Sequence, residues 1–281
     1  MNGSMKPILI YGYGNPGRRD DGLGPAAAER IEELENPLVE TDANYQLNIE
    51  DAATIAGYRL VLFVDATVEE DVENFRVRRV IPETRISFST HHVSPGTVLH
   101  LCEQGFDGTP AVWIITVRGY DFDYVESISD EAAENLNEAL EFIKLLLILF
   151  EGKSMATNEV KTVLIIDDDA DIRASIRIVL EAAGFQVGEA GDGEEGLKVA
   201  EKVNPDAVIV DLMMETIDAG SKVSSELKSS GFQGPIYLLS AAGDAVRYNI
   251  DAGALGLAGI FQKPINHETL INTLKTRLGI S

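Results

Sequence analysis

Short apolar runs, each closing on a polar residue and leading into a stretch with helical spacing, recur along this chain and leave it few folds to choose from. In the second half the cycle repeats about five times, with Val163-Ile166, Gln186-Gly188, Ala207-Val210, Ile236-Leu239 and Leu257-Phe261 as its strands. Strand and helix in regular alternation imply a parallel sheet covered on both faces. The first half has Ile8-Leu9-Ile10-Tyr11, the continuous run Leu60-Val61-Leu62-Phe63-Val64, the alternating Ile86-Ser87-Phe88-Ser89-Thr90 and the apolar Ala111 to Val117. Continuous runs of this kind suit strands buried on both faces. From Ser129 onward Ala132, Leu136, Ala139, Leu140, Ile143 and Leu147 form one helical stripe. Glu151 to Glu159 has no periodicity and reads as a linker. The expected fold class is therefore α/β: a domain over 1–150, a linker over 151–160 and a second domain over 161–281, each a three-layer α/β/α sandwich. The first sheet is expected to be mixed or mostly parallel, the second to have five parallel strands.

The formal charge of −23 argues against nucleic acid as a partner, because phosphate backbones are bound with Lys and Arg. Cys102 is the only cysteine, so no internal disulfide can form, which suits a reducing compartment. The first residues lack a charged-then-apolar signal pattern, and the expected location is the cytoplasm. The longest apolar run, Leu145 to Phe150, is far short of the roughly 20 residues that cross a bilayer. It reads as a buried helix end, and no membrane partner is expected.

Glycines punctuate Gly12-Tyr13-Gly14-Asn15-Pro16-Gly17-Arg18-Arg19-Asp20-Asp21-Gly22-Leu23-Gly24, between the first strand and a helix beginning near Pro25. In open α/β sheets ligands bind beyond the carboxyl ends of the strands, where Asp20 and Asp21 fall. Helix capping accounts for one of the two. Asp65 ends the Leu60–Val64 run, and His91 follows Thr90. Two carboxylates and an imidazole form a mixed N/O set suited to nickel, zinc, iron or manganese. His92 points to the opposite face of an extended segment, and His100 reads as a surface residue.

These segments, with Val64-Asp65-Ala66 and Ser89-Thr90-His91-His92-Val93-Ser94-Pro95, resemble the hydrogenase maturation endopeptidases over residues 5–148. Arg118-Gly119-Tyr120-Asp121-Phe122 and Ile128-Ser129 resemble that family's late strand and loop. The resemblance implies a phosphorylase/hydrolase-like sheet and an aspartic-type endopeptidase. Its implied reaction removes a C-terminal extension from the large-subunit precursor of a [NiFe] hydrogenase after nickel insertion. It gives Asp21, Asp65 and His91 catalytic roles as contacts to the client's nickel; Asp21 stands where some members carry Glu. No Gly-x-Ser-x-Gly elbow or His-Glu-x-x-His helix is present.

In the second half Asp167, Asp168 and Asp169 close the first strand, Asp211 closes the third, Ser240 ends the next and Lys263-Pro264 follows the last. Like charges gathered at strand ends call for a divalent cation, most often magnesium. Asp, Asp, Ser and Lys at successive strand ends make a phosphoryl-transfer site. The pattern resembles the flavodoxin-like receiver domains of two-component response regulators over residues 161–280. That resemblance implies Asp211 as phosphoacceptor, magnesium on Asp167, Asp168, Asp211 and the Met213 carbonyl, Ser240 and Lys263 on the phosphoryl group, and a histidine kinase or other phosphodonor as partner. Two departures stand out. Glu215 takes the place of a usual Pro, with Ala219 splitting the Asp218–Gly220 pair, and Ile260 occupies a position that is usually aromatic.

The expected whole is a nickel-dependent endopeptidase joined to a regulatory receiver. The other reading is a signalling protein whose first domain senses nickel or docks hydrogenase without cutting it.

Overall fold

The computed structural model describes residues 6–84, 93–106, 108–153, 160–214, 219–241 and 256–280. Contacts divide the chain into two compact units, Met1–Lys144 and Leu145–Ser281.

In the first unit β1 (Lys6–Tyr13), β2 (Val39–Asn44), β3 (Tyr58–Thr67), β4 (Phe75–Arg79) and β5 (Ala111–Arg118) form one sheet in the order β2-β1-β3-β5-β4. Four strands are parallel, and β4 runs antiparallel at the edge beside β5. The pleat sends Leu9, Tyr11, Val61 and Phe63 to one face. There they pack with Ile55 of α2 (Asp51–Ile55) and with Val98 and Cys102 of α3 (Pro95–Gly105). Ser94 caps α3 by accepting from Thr97 N, and Pro95 follows at the first helical position, where its missing N–H costs nothing. On the other face lie α1 (Leu23–Glu32) and α4 (Asp130–Lys153). The stripe Ala132, Leu136, Ala139, Leu140 and Ile143 is buried, and Phe142 stacks on Phe75 of β4 at 5.4 Å. α4 carries the run Leu145–Phe150, of which Leu146 and Leu147 are buried while Ile148 stands 64% exposed, so this end is not wholly covered.

Close backbone approach places the loop after β1. A Cβ on Gly12 would lie 2.0 Å from the Gly24 carbonyl, and one on Gly24 would lie 2.4 Å from the Val64 carbonyl. Only glycine lets the start of α1 rest directly on the ends of β1 and β3.

In the second unit β6 (Thr162–Ile166), β7 (Gln186–Ala190), β8 (Ala207–Asp211), β9 (Ile236–Ser240) and β10 (Gly259–Gln262) form a fully parallel sheet in the order β7-β6-β8-β9-β10. Val163, Ile165, Ile209 and Leu239 pack with α5 (Ala170–Ala182) and α8 (His267–Leu278) on one face. Leu164, Ile166, Val208, Val210 and Leu238 meet α6 (Gly193–Val203) and α7 (Ala219–Ser229) on the other. Every side chain of β8 and β9 is buried, as continuous apolar runs require. Among the described residues no helix is long and apolar enough to cross a membrane.

Candidate functional site

At the carboxyl ends of β1 and β3 the parallel register pairs Gly12 with Val64, so Tyr13 and Asp65 are the next neighbours, on one face. The Tyr13 ring meets Phe63 edge-on at 6.1 Å, and its hydroxyl donates to the Asp65 carboxylate. The Ala66 N–H donates to Asp65 Oδ1 at 2.8 Å. Burial pushes the Asp65 carboxyl up to about 6; the two hydrogen bonds oppose the shift, and the negative charge of Asp21 adds to it. Burial, then the charge of Asp65, holds the Tyr13 phenol well above its ordinary range. Asp21 lies on the 3₁₀ turn Arg19–Gly22; its Oδ2 accepts from Asn15 N at 3.2 Å and faces Arg18 Nη1 at 3.7 Å. Asp21 and Asp65 thus stand close enough for their charges to interact. His91, expected beside them, lies outside the described residues together with His92 and the Ile86–Thr90 segment.

Asp20 behaves differently from its neighbour. Its carboxylate has no exposed surface and accepts from Tyr120 N (2.8 Å), Asp121 N (2.9 Å), Ser129 N (2.7 Å) and Ser129 Oγ (2.8 Å). Burial alone would raise its pKa, but these four donors outweigh burial and hold it below the usual carboxylate range. Neither Asp20 nor Asp21 caps α1, whose first residues receive no side-chain hydrogen bond, so the capping expectation is corrected: Asp20 instead ties the loop after β5 to the loop after β1. Nothing in the Asp-Asp dipeptide distinguishes these roles, since the donors lie a hundred residues downstream.

In the second unit the corresponding sheet edge collects a dense set of charges. Asp167, directly after β6, is fully buried; Asp211, the last residue of β8, is 5% exposed; Asp168 is exposed. One carboxylate oxygen from each lies within 4.8 Å of the others. Lys263, just past β10, reaches Asp167 Oδ2 at 2.9 Å and Asp211 Oδ2 at 3.2 Å. The Lys263 N–H also donates to the Ser240 carbonyl at 2.8 Å, which sets its place relative to β9. Burial is the main reason the Asp167 carboxyl is pushed up to about 6; Lys263 opposes the shift and Asp211 adds to it. Asp211 is raised for the same leading reason, with Lys263 and a backbone hydrogen bond from Met213 opposing. Burial disfavours the Lys263 ammonium, but the Asp167 hydrogen bond and the charges of both carboxylates prevail and raise its pKa.

Residues 163–275 match the family model described as the response regulator receiver domain. Response regulator MprA of Mycolicibacterium vanbaalenii is 34% identical over 116 residues, 41% of this chain and 49% of that protein. MprA of Mycobacterium leprae gives the same identity over 41% of this chain and 50% of its own. The chain spans about half the length of these curated relatives. Residues 163–275 are a receiver domain. Among solved structures, a response regulator receiver protein from Burkholderia phymatum is 32% identical with a TM-score of 0.38, covering 43% of this chain and 97% of that one. A [NiFe] hydrogenase maturation protease, HycI from Thermococcus kodakarensis, is 25% identical with a TM-score of 0.42, covering 52% of this chain and 95% of that one.

The receiver's acidic cluster fits a divalent cation on its own chemistry. Among the described residues the buried Asp167 Oδ2 is met by the Lys263 ammonium alone, at 2.9 Å, an arrangement that a hard cation with oxygen ligands would complete. Asp167, Asp168 and Asp211 are the side chains that would hold magnesium, which would supply positive charge at the end of β8. Ser240 sits buried at the end of β9, its hydroxyl on the Ala241 carbonyl at 3.2 Å. Gly220, of the pair split by Ala219, is a positional requirement: a Cβ there would lie 2.1 Å from the Asp211 carbonyl. Ile260 packs in the core beside α6 and α7 while Phe261 turns to the opposite face against Tyr237, ring centroids 5.2 Å apart, so no aromatic side chain of β10 takes the place left by Ile260. Glu215 lies outside the described residues.

Proposed function

We propose that this chain joins an endopeptidase of the hydrogenase-maturation type, residues 1–150, through a linker over 151–160, to a receiver over 161–281 that is phosphorylated on Asp211 and regulates it. The observation that carries the receiver half is the bridging of Asp167 and Asp211 by Lys263 at the ends of three strands. An ionised Asp211 attacks the phosphorus of a donor such as a histidine kinase's phosphohistidine. Asp167, Asp168, Asp211 and the Met213 carbonyl would hold magnesium, which would supply positive charge to the transferred group; the Lys263 ammonium adds its own charge and the Ser240 hydroxyl donates a hydrogen bond.

The peptidase half is supported by the motif resemblance over 5–148 and by the electrostatic coupling of Asp21 with Asp65. Two carboxylates, with His91 added by motif, offer the client's own nickel an incomplete coordination shell. Recognition is then confined to precursors that already carry the metal. A carboxylate with a pKa of about 6 is ionised at neutral pH yet basic enough to take a proton from water, which suits hydrolysis. The proposed client is the large-subunit precursor of a [NiFe] hydrogenase, cut at its C-terminal extension in the cytoplasm.

Two assays on the full chain test the halves separately. With acetyl phosphate and magnesium, wild type should acquire an acid-stable, base-labile phosphate and Asp211→Ala none; labelling of the variant would refute the phosphoacceptor. With nickel-loaded precursor, wild type should cleave and Asp21→Ala should lose at least about a hundredfold in rate, the scale of removing a group that acts on the reacting atoms. Tight binding without cleavage by wild type would favour a nickel-sensing or docking module instead.

A further inference from the structure

Arg173 lies one turn into α5, and its side chain leans back toward the helix start, as helical side chains do. Its Nη1 donates to the Asp167 carbonyl at 2.5 Å, which puts the guanidinium within one residue of the carboxylate cluster. On its other side the two terminal nitrogens lie 3.8 and 4.0 Å from where a Cβ of Gly191 would stand, against the turn between β7 and α6. Glu195, in the first turn of α6, is engaged with the Gly191 N–H at 2.8 Å, and Asp192 caps the same helix by accepting from Glu195 N at 2.7 Å. Among the described residues Arg173 forms no ion pair. In a chain with 46 acidic residues and 23 Lys and Arg, a guanidinium that bonds only the backbone carbonyl of Asp167, whose side chain belongs to the carboxylate cluster, needs an account.

Charge balance supplies one. Three carboxylates, the Lys263 ammonium and a divalent cation sum to zero, so a dianionic phosphoryl group reaching Asp211 meets a neutral centre. One further cation at the rim turns neutrality into attraction, and a guanidinium presents paired N–H donors matched to phosphoryl oxygens. We propose that Arg173, anchored on the Asp167 carbonyl, contacts the phosphoryl oxygens of the incoming donor and so sets the receiver's affinity for phosphodonors. In the step it assists, an Asp211 oxygen forms a bond to phosphorus as the bond from phosphorus to the donor breaks. Acetyl phosphate departs as acetate with the bonding pair; a phosphoramidate departs as an amine that takes a proton.

This inference rests on Asp211 being phosphorylated, and the full chain tests the two apart. Labelling rate is measured against the concentration of acetyl phosphate and of phosphoramidate for wild type, Arg173→Gln and Arg173→Lys, with the thermal shift caused by magnesium recorded for each. Arg173→Gln should raise the half-saturating concentration of both donors about tenfold, the scale of one lost charge-assisted hydrogen bond. Arg173→Lys should recover part of that loss, and the magnesium shift should match wild type in both variants. An unchanged donor dependence, or a defect that appears together with a lost magnesium response, would overturn the proposal, the second by showing that Arg173 only shapes the metal loop. A defect confined to acetyl phosphate would also overturn it, by assigning the contact to the acyl group. Failure of wild type to label with either donor would refute Asp211 as the acceptor and remove this inference with it.

Discussion

Asp20 and Asp167 are both fully buried carboxylates at the mouth of a parallel sheet, yet their pKa values move in opposite directions. Asp20 is met by four donors, three of them backbone N–H groups, and its charged form is favoured despite burial. Asp167 has a single N–H, from Asp169 to Oδ1 at 2.9 Å, while its other oxygen faces only Lys263 and a second carboxylate beyond. Donor supply separates an acid that holds the fold from one that serves chemistry. A carboxylate saturated by backbone donors has no capacity left for a ligand, whereas one whose desolvation is only partly offset is set to bind a cation.

Three experiments put that contrast to the test. The largest effect is expected at Asp20. Asp20→Ala leaves three partly buried N–H groups without their acceptor and releases the loop after β5, so the first unit should lose about 3–5 kcal/mol, read by urea unfolding. A loss under about 1 kcal/mol would mean the loop does not depend on this carboxylate.

The second concerns pH. Asp167 has its folded pKa raised from 3.8 to about 6. A group raised in this way contributes stability that is fully present below its unfolded pKa and lost as pH rises through the folded one. Metal-free receiver should therefore weaken between about pH 4 and pH 6, by about 2–3 kcal/mol for a shift of some two pKa units. Saturating magnesium, which binds the ionised form, should flatten or reverse the slope. Asp20, with its pKa lowered, acts with the opposite sign, its stabilisation disappearing as pH falls through its folded value. Calorimetry across this window, with and without magnesium, reads both trends; equal slopes in the two conditions would refute the magnesium assignment.

The smallest effect is expected from Asp167→Asn. Removing a poorly solvated charge should raise metal-free stability at pH 7 by about 1 kcal/mol while abolishing the magnesium response. A loss comparable to that of Asp20→Ala would show that the two acids are not different in kind.

What could be read from the chain alone was whatever short-range pattern encodes. The five strands of the receiver, and Asp167, Asp211, Ser240 and Lys263 at their ends, follow from apolar runs and from the rule that α/β sheets present their sites at the strands' carboxyl ends. The strands β2 and β4 went unread because these two edges are mostly polar. Their sequences, Val39-Glu-Thr-Asp-Ala-Asn44 and Phe75-Arg-Val-Arg-Arg79, carry little apolar signal, and only a neighbouring strand organises them. Adjacent identical residues posed the harder case. Asp20 and Asp21 are indistinguishable to any local rule, and it takes Tyr120, Asp121 and Ser129 arriving from β5 and its loop to bury the first carboxylate in hydrogen bonds and leave the second beside Asp65. Residue types and their spacing determined which charges reach the sheet edge. Which of them are satisfied there is set by long-range packing, because desolvation and hydrogen-bond donors come from parts of the chain that sequence neighbours cannot report.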